Sequence, residues 1–277
     1  MKVFCVGLFR SGTTTMCEMF QKSFRADHEF MIDGEFELVE KRIVGAATDQ
    51  ELRAFVRERD AAKPLDVDAS GIHFGLIDIL VSEYPEAKFI LPFRNVYSWM
   101  NSCVGKLYTD FAAGWFGPAG VFVNRLECLP DDTFLLADRM GYKICLEQMM
   151  KAWTGLHRHL LKLIPRSRLL VMNTENLSQS IGQIADFCGI ELHSIESCHS
   201  NPGPGADFLG CFDSGRIEEL VQQHCAELMS ERYPGLTLAS HTNREWSEAA
   251  PCAGVIRYFT LDQFCLLEPV AAAAEGS

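Results

Sequence analysis

Residues 1–14 read MKVFCVGLFRSGTT, and they decide how the rest of the chain is organised. Met1–Val6 is a short apolar run rich in β-forming residues, and Gly7 then opens a loop. Apolar residues at three- and four-residue spacing behind the loop predict a helix; they are Met16, Met19 and Phe20. Backbone N–H groups of such a loop and of the helix N-terminus attract an anion. The stretch predicts an anion-binding turn, although an ordinary strand-to-helix connection has the same pattern.

The loop resembles a Walker A phosphate loop but lacks the lysine of that motif. The lysine should follow Gly12, where this chain has Thr13. The cation is instead Arg10, two residues before Gly12, and a guanidinium can bind two oxygens of a phosphate or sulfate. Hydroxyl groups follow Arg10 in the same loop, on Ser11, Thr13 and Thr14.

Composition excludes some function classes. The chain has 277 residues and a net charge of -12, so it is a poor candidate for sequence-independent nucleic-acid binding, which needs a basic face. It has no apolar run long enough to span a membrane and no signal-peptide pattern, so no membrane association is expected. The 11 cysteines form no Cys-x-x-Cys pair, which predicts neither a zinc site nor a disulfide framework. We therefore expect a metal-free cytoplasmic protein with reduced thiols.

Apolar runs alternate with helical patterns along the chain. The predicted strands are 1–6, 30–32, 65–68, 88–93 and 168–172. Helical patterns lie between them, and a last helix is predicted over 216–229. This alternation predicts an α/β fold with a parallel sheet between helices. We expect one domain over residues 1–245 and a C-terminal extension over 246–277.

The aromatic and glycine-rich residues 105–132 are predicted to be either an irregular substrate loop or a pair of short helices. Ligands of parallel sheets bind at the carboxyl ends of the strands. The stretches to examine for chemistry are therefore 7–14, 68–70, 94 onward and 173–176.

Two of these stretches together resemble sulfotransferases that use 3'-phosphoadenosine 5'-phosphosulfate (PAPS). Phe9–Thr14 matches the 5'-phosphosulfate loop of that family, in which a basic residue precedes Ser-Gly-Thr-Thr. Lys88–Asn95 is similar to the 3'-phosphate segment, in which an arginine ends a buried strand and a serine follows eight residues later. Here these two residues are Arg94 and Ser102. A softer match covers 168–177 and 187–190, so the resemblance spans roughly residues 1–210.

The resemblance implies a P-loop-type, three-layer fold of the bacterial-like, small-molecule branch of the family. It implies transfer of a sulfuryl group from PAPS to a hydroxyl or amine of a small-molecule acceptor, without a metal. Adenosine 3',5'-bisphosphate (PAP) is then the product. Arg10 would neutralise the transferred group, and Arg94 with Ser102 would hold the 3'-phosphate. The remaining donor-binding residues would be Ser11, Gly12, Thr13 and Thr14.

The acceptor must lose a proton, which requires a base near the sulfur. In the tyrosylprotein branch of the family a glutamate lies shortly after the first helix, and its nearest counterpart here is His28-Glu29, with a small gap. We rank Glu29 first as the base, followed by His28 and Asp68. Other titratable residues in this part of the chain are Glu35, Asp66 and His73.

Two other functions remain open from the sequence. A P-loop kinase would use ATP and magnesium, with Asp66 or Asp68 as the Walker B acid. A non-catalytic nucleotide-binding protein would keep the pocket without the base. The sulfotransferase hypothesis requires the side chains of Arg10 and Arg94 to open onto the same face of the molecule, because one donor must contact both. The sequence leaves the choice between monomer and homodimer open.

Overall fold

The computed structural model describes residues 1–112, 142–144, 146–198, 207, 209–242, 256–257 and 265–267. The chain divides into two compact units. The first comprises Met1–Asn95 and Gly155–Pro202, and the second comprises Val96–Thr154 and Gly203–Ser277. The domain boundary near residue 245 stays a prediction.

The described strands occur in two sheets. In chain order they are Val3–Val6 (β1), Ala26–His28 (β2), Val67–Ser70 (β3), Lys88–Phe93 (β4), Tyr142–Ile144 (β5), Leu169–Asn173 (β6), Ile256–Arg257 (β7) and Cys265–Leu267 (β8). In the first unit, five described strands pair in the order β2-β3-β1-β4-β6, and every pairing is parallel. In the second unit, β5, β8 and β7 pair antiparallel. The predicted parallel α/β sheet is confirmed.

The described α-helices connect these strands. They are Thr13–Phe20 (α1), Ile32–Ile43 (α2), Asp49–Ala62 (α3), Ile77–Glu83 (α4), Val96–Ala112 (α5), Leu146–Leu163 (α6), Ile181–Cys188 (α7), Ser214–His224 (α8), Ala226–Arg232 (α9) and Leu238–Thr242 (α10). α3 begins with a capping box, in which the Thr48 and Glu51 side chains each bond the backbone N–H of the other residue. No described helix has both the length and the apolar character needed to cross a membrane.

Alternate residues of β1 bury their side chains on opposite faces of the sheet, because side chains in a strand alternate. On one face Val3 and Cys5 belong to a buried cluster to which α1 and α7 also contribute, for example through Phe20 and Ile184. On the other face the Phe4 ring stacks on Phe89, with 5.5 Å between centroids. Burial on both faces explains the nearly continuous apolar strands.

The second strand lies at 26–28 and not at 30–32 as predicted. Ala26 pairs with Val67 in parallel register at the edge of the sheet, and all three residues of β2 are only partly buried. An edge strand tolerates polar residues, so its sequence lacks the apolar run that signals a buried strand. The apolar stretch 30–32 instead leads into α2, through Met31 in the left-handed region at φ 54°.

Two predictions in the second unit can be compared with the described helices. Of the two alternatives for 105–132, the helical one holds at 105–112, which continue the single helix α5, while 113–132 lie outside the described residues. The single helix predicted over 216–229 is divided into α8 and α9 at Cys225. At this point the Thr154 hydroxyl donates a hydrogen bond to the His224 carbonyl, 2.8 Å away. A side chain that takes a carbonyl of the helical ladder interrupts the helix.

Candidate functional site

The loop between β1 and α1 turns sharply. The backbone N–H and the hydroxyl of Ser11 both donate to the Leu8 carbonyl, at 3.1 and 2.6 Å. Gly12 has φ 108°, which favours glycine, and Arg10 has φ 64°. A non-glycine residue in this left-handed region costs of order 1 kcal/mol or more and recurs at functional sites. The loop therefore holds Arg10, the basic residue of the motif, in a strained backbone conformation.

Two side chains from neighbouring strands hold the next two carbonyls of this loop. Arg94 Nη1 donates to the Arg10 carbonyl at 2.7 Å, and Thr174 Oγ1 donates to the Ser11 carbonyl at 2.6 Å. Arg94 follows β4 and Thr174 follows β6, and the carboxyl ends of parallel strands meet at one edge of the sheet. The structure thus brings the two sequence motifs together. The sequence had assigned no role to Thr174, although a hydroxyl directly after a buried strand was an available signal.

His28 lies against the first turn of α1. Its Nε2 is 3.0 Å from Thr13 Oγ1, 3.3 Å from Thr14 Oγ1 and 3.8 Å from Glu29 Oε1. Burial lowers the pKa of His28, with the Glu29 carboxylate acting in the opposite direction, so the ring is neutral at pH 7. A neutral ring carries one hydrogen, so Nε2 accepts from or donates to these hydroxyls according to the tautomer. His28 is therefore tied to the hydroxyls of the candidate donor loop.

Glu29 follows His28 and is the more accessible of the two. Its backbone is in the left-handed region at φ 60°, and its N–H donates to the Ala69 carbonyl at 2.8 Å. Its side chain is 39% exposed. Backbone strain at both Arg10 and Glu29 marks this edge of the sheet as the candidate active site.

Asp68 lies in a buried charged network and not at the loop. Its side chain is 3% exposed. Arg59 donates to both of its oxygens, with Nη2 2.8 Å from Oδ1, and His73 Nε2 is 3.3 Å from Oδ1. Glu35 completes the network, with Oε1 2.7 Å from His73 Nδ1. Since its partners engage both oxygens, this geometry weighs against Asp68 as the base.

The charges of this network shift the pKa values of its members. Burial opposes the charged ring of His73, but Glu35 and Asp68 outweigh burial and raise its pKa to about 9. Burial likewise opposes ionised Asp68, but His73 and Arg59 outweigh it and hold the pKa of Asp68 well below its usual range. At neutral pH the cations of His73 and Arg59 therefore face the ionised Asp68, and such pairing makes buried charges tolerable.

We expect the free energy of unfolding to fall as the pH rises from about 6.5 to 9. His73 has a raised pKa in the folded state, so its contribution is complete below the unfolded pKa and is lost as the pH passes the folded value. A pKa change from 6.5 to about 9 corresponds to about 3 kcal/mol. Urea unfolding at pH 6.5 and 9 measures this change. Glu35→Gln should reduce it, and an equal pH dependence in both proteins would contradict the assignment.

Two further residues named from the sequence are Asp66, a candidate Walker B acid, and Ser102, a candidate 3'-phosphate ligand. Asp66 precedes β3, at the amino end of the strand, and forms a two-bond pair with Arg25. The loop lies at the opposite, carboxyl end, so Asp66 is poorly placed as a Walker B acid. Ser102 is fully buried in α5 of the second unit. Its role at the 3'-phosphate stays a prediction from the resemblance.

Comparisons with known proteins identify the family of this chain. A search of curated protein sequences found no match. A sulfotransferase from Alicyclobacillus acidocaldarius has a similar structure, with TM-score 0.48 and 14% identity over 85% of this chain and 96% of that one. The sulfotransferase domain of the Synechococcus PCC 7002 olefin synthase gives 0.42 and 14% over 91% and 89%. The sequence model described as a sulfotransferase domain matches residues 2–202. The chain therefore belongs to the sulfotransferase domain family.

Proposed function

We propose that this protein transfers the sulfuryl group of PAPS to a hydroxyl or amine of a small-molecule acceptor and releases PAP. The contact between the Arg94 guanidinium and the Arg10 carbonyl, at 2.7 Å, carries this proposal. PAPS has two anionic ends, a 5'-phosphosulfate and a 3'-phosphate. A guanidinium that adjoins the 5'-type loop would lie within reach of the 3'-phosphate of a nucleotide bound there.

The loop would bind the 5'-phosphosulfate. Its N–H groups and the N-terminus of α1 direct positive partial charge toward one spot, where Arg10 adds a full charge. The other residues proposed to bind this end are Ser11, Gly12, Thr13 and Thr14. Arg94 would bind the 3'-phosphate, with Ser102 as the second residue that the resemblance assigns to it.

The transfer step would use Glu29 as the base. The acceptor oxygen or nitrogen forms a bond to sulfur while the sulfur–oxygen bond to the phosphate breaks, and PAP leaves with that electron pair. Arg10 stabilises the charge that develops on the leaving oxygen. The acceptor proton passes to the Glu29 carboxylate. His28 is the second choice, because its Nε2 already contacts the hydroxyls of Thr13 and Thr14.

Calorimetric titration separates this function from its alternatives. The wild-type chain should bind PAP without magnesium and more tightly than ATP with magnesium. A preference for ATP with magnesium would favour a kinase. Tight PAP binding without release of PAP from PAPS, across a panel of phenols, alcohols and amines, would favour a non-catalytic nucleotide-binding protein.

The proposal extends to the metal requirement, the cellular compartment and the extent of the domain. We propose that transfer needs no metal, that the protein works in the cytoplasm, and that residues 1–245 form the functional domain. The free thiols of Cys5, Cys17 and Cys188 are consistent with a reducing compartment.

A further inference from the structure

The hydrogen bond from Thr174 to the loop determines the direction of a backbone amide. Thr174 Oγ1 donates to the Ser11 carbonyl at 2.6 Å. The peptide bond between Ser11 and Gly12 is trans, since no cis peptide occurs among the described residues. In a trans peptide the C=O and the following N–H point in opposite directions. The Gly12 N–H therefore points away from Thr174.

This N–H is available for a ligand. In the described part of the chain, the Gly12 N–H donates to no protein acceptor, whereas the preceding N–H, of Ser11, is used within the loop. Gly12 directly precedes α1, where the N–H groups of the first turn lack partners within the helix. Because its direction is fixed, the Gly12 N–H adds one more donor to the anion site formed by the N–H groups at the start of α1.

Further contacts hold Thr174 in place. Its methyl carbon lies 3.2 Å from the position that a Cβ on Gly12 would occupy, so Thr174 packs against the loop as well as bonding to it. The next residue, Glu175, accepts a hydrogen bond from Asn95 Nδ2 at 2.6 Å. Asn95 follows Arg94, so this bond joins the segments that hold the two loop carbonyls.

We propose that Thr174 is a positioning residue of the 5'-phosphosulfate subsite, which aims the Gly12 N–H at the anion by holding the Ser11 carbonyl. The inference rests on the proposed function, because it concerns the site that would bind PAPS. Thr174 acts through the backbone of the loop and need not touch the nucleotide. Its loss should therefore weaken ligands with a 5' anion and spare those without one.

Titration of Thr174→Val and Thr174→Ser with PAP and with adenosine 3'-monophosphate tests this role. Thr174→Val keeps the shape of the side chain without the hydroxyl and should weaken PAP about tenfold. Adenosine 3'-monophosphate has no 5' group, so its affinity should stay within about twofold of wild type, a margin well below the loss of one hydrogen bond. Thr174→Ser keeps the hydroxyl and should retain most of the PAP affinity.

Ser178 supplies a matched control. It lies in the same short 3-10 helix as Thr174, and its hydroxyl also donates to a backbone carbonyl, that of Cys198, at 2.5 Å. Ser178→Ala should leave the affinity for PAP unchanged. If urea unfolding shows that Thr174→Val does not fold, Thr174→Ala removes the same hydroxyl without putting a methyl group in its place.

Unchanged PAP affinity in folded Thr174→Val or Thr174→Ala would overturn the inference, and so would an equal loss for both nucleotides. If the wild-type protein itself does not bind PAP, the proposed function fails and the inference falls with it. If the wild-type protein binds PAP and the Thr174 variants bind it with the same affinity, the proposed function stands but Thr174 has no part in it.

Discussion

Replacing Glu29 with glutamine should lower the rate of sulfuryl transfer by about 10²- to 10⁴-fold. The amide has nearly the shape of the carboxylate but cannot take the acceptor proton. The rate is measured as PAP released from PAPS in the presence of the best acceptor from the phenol, alcohol and amine panel. Because Glu29 acts on the acceptor, the affinity for PAP should stay near that of wild type.

Asp33 provides the control for this substitution. It is an exposed carboxylate in the first turn of α2, four residues after Glu29. Asp33→Asn changes the net charge in the same way and should leave the rate unchanged. Full activity of Glu29→Gln together with a large loss in His28→Gln would move the base to His28. A parallel loss of PAP affinity in Glu29→Gln would show that Glu29 supports donor binding instead.

Replacing Arg94 with alanine should weaken PAP binding about 100-fold, because charge-assisted hydrogen bonds to a phosphate are lost. The same guanidinium also holds the Arg10 carbonyl, so adenosine 5'-phosphosulfate should be weakened too, but only about threefold to tenfold. The ratio of the two losses, measured by calorimetry, separates the role at the 3'-phosphate from the role in the loop.

Arg168→Ala is the matched control for Arg94→Ala. Arg168 also donates to backbone carbonyls, those of Tyr84 and Pro85, but it lies before β6, at the other end of the sheet. Its loss should affect stability without changing nucleotide affinity. Equal weakening of PAP and adenosine 5'-phosphosulfate in Arg94→Ala would contradict the 3'-phosphate assignment and leave only the loop contact.

The sequence alone was sufficient for the parallel α/β class and for the family, whereas the edge strand β2 was misplaced and the site at the turn after β1 stays a prediction. The buried strands carry their signal locally, and Lys88–Phe93 was predicted with the bounds that the structure has. The turn after β1 was predicted from its two glycines, and the resemblance to sulfotransferases is confirmed by the match over residues 2–202. The individual site residues stay predictions, although the structure brings Arg10, Arg94 and His28 to the loop.

Contacts between residues distant in sequence were decided only by the tertiary structure. Local patterns could not distinguish Asp68, which Arg59 and His73 bind in the interior, from an accessible carboxylate such as Glu29. They also gave no role to Thr174, which is 163 positions from the carbonyl that it holds. The physical reason is that burial and charge pairing depend on which strands become neighbours, whereas hydrophobic patterns and turn signals are set by residues close in sequence.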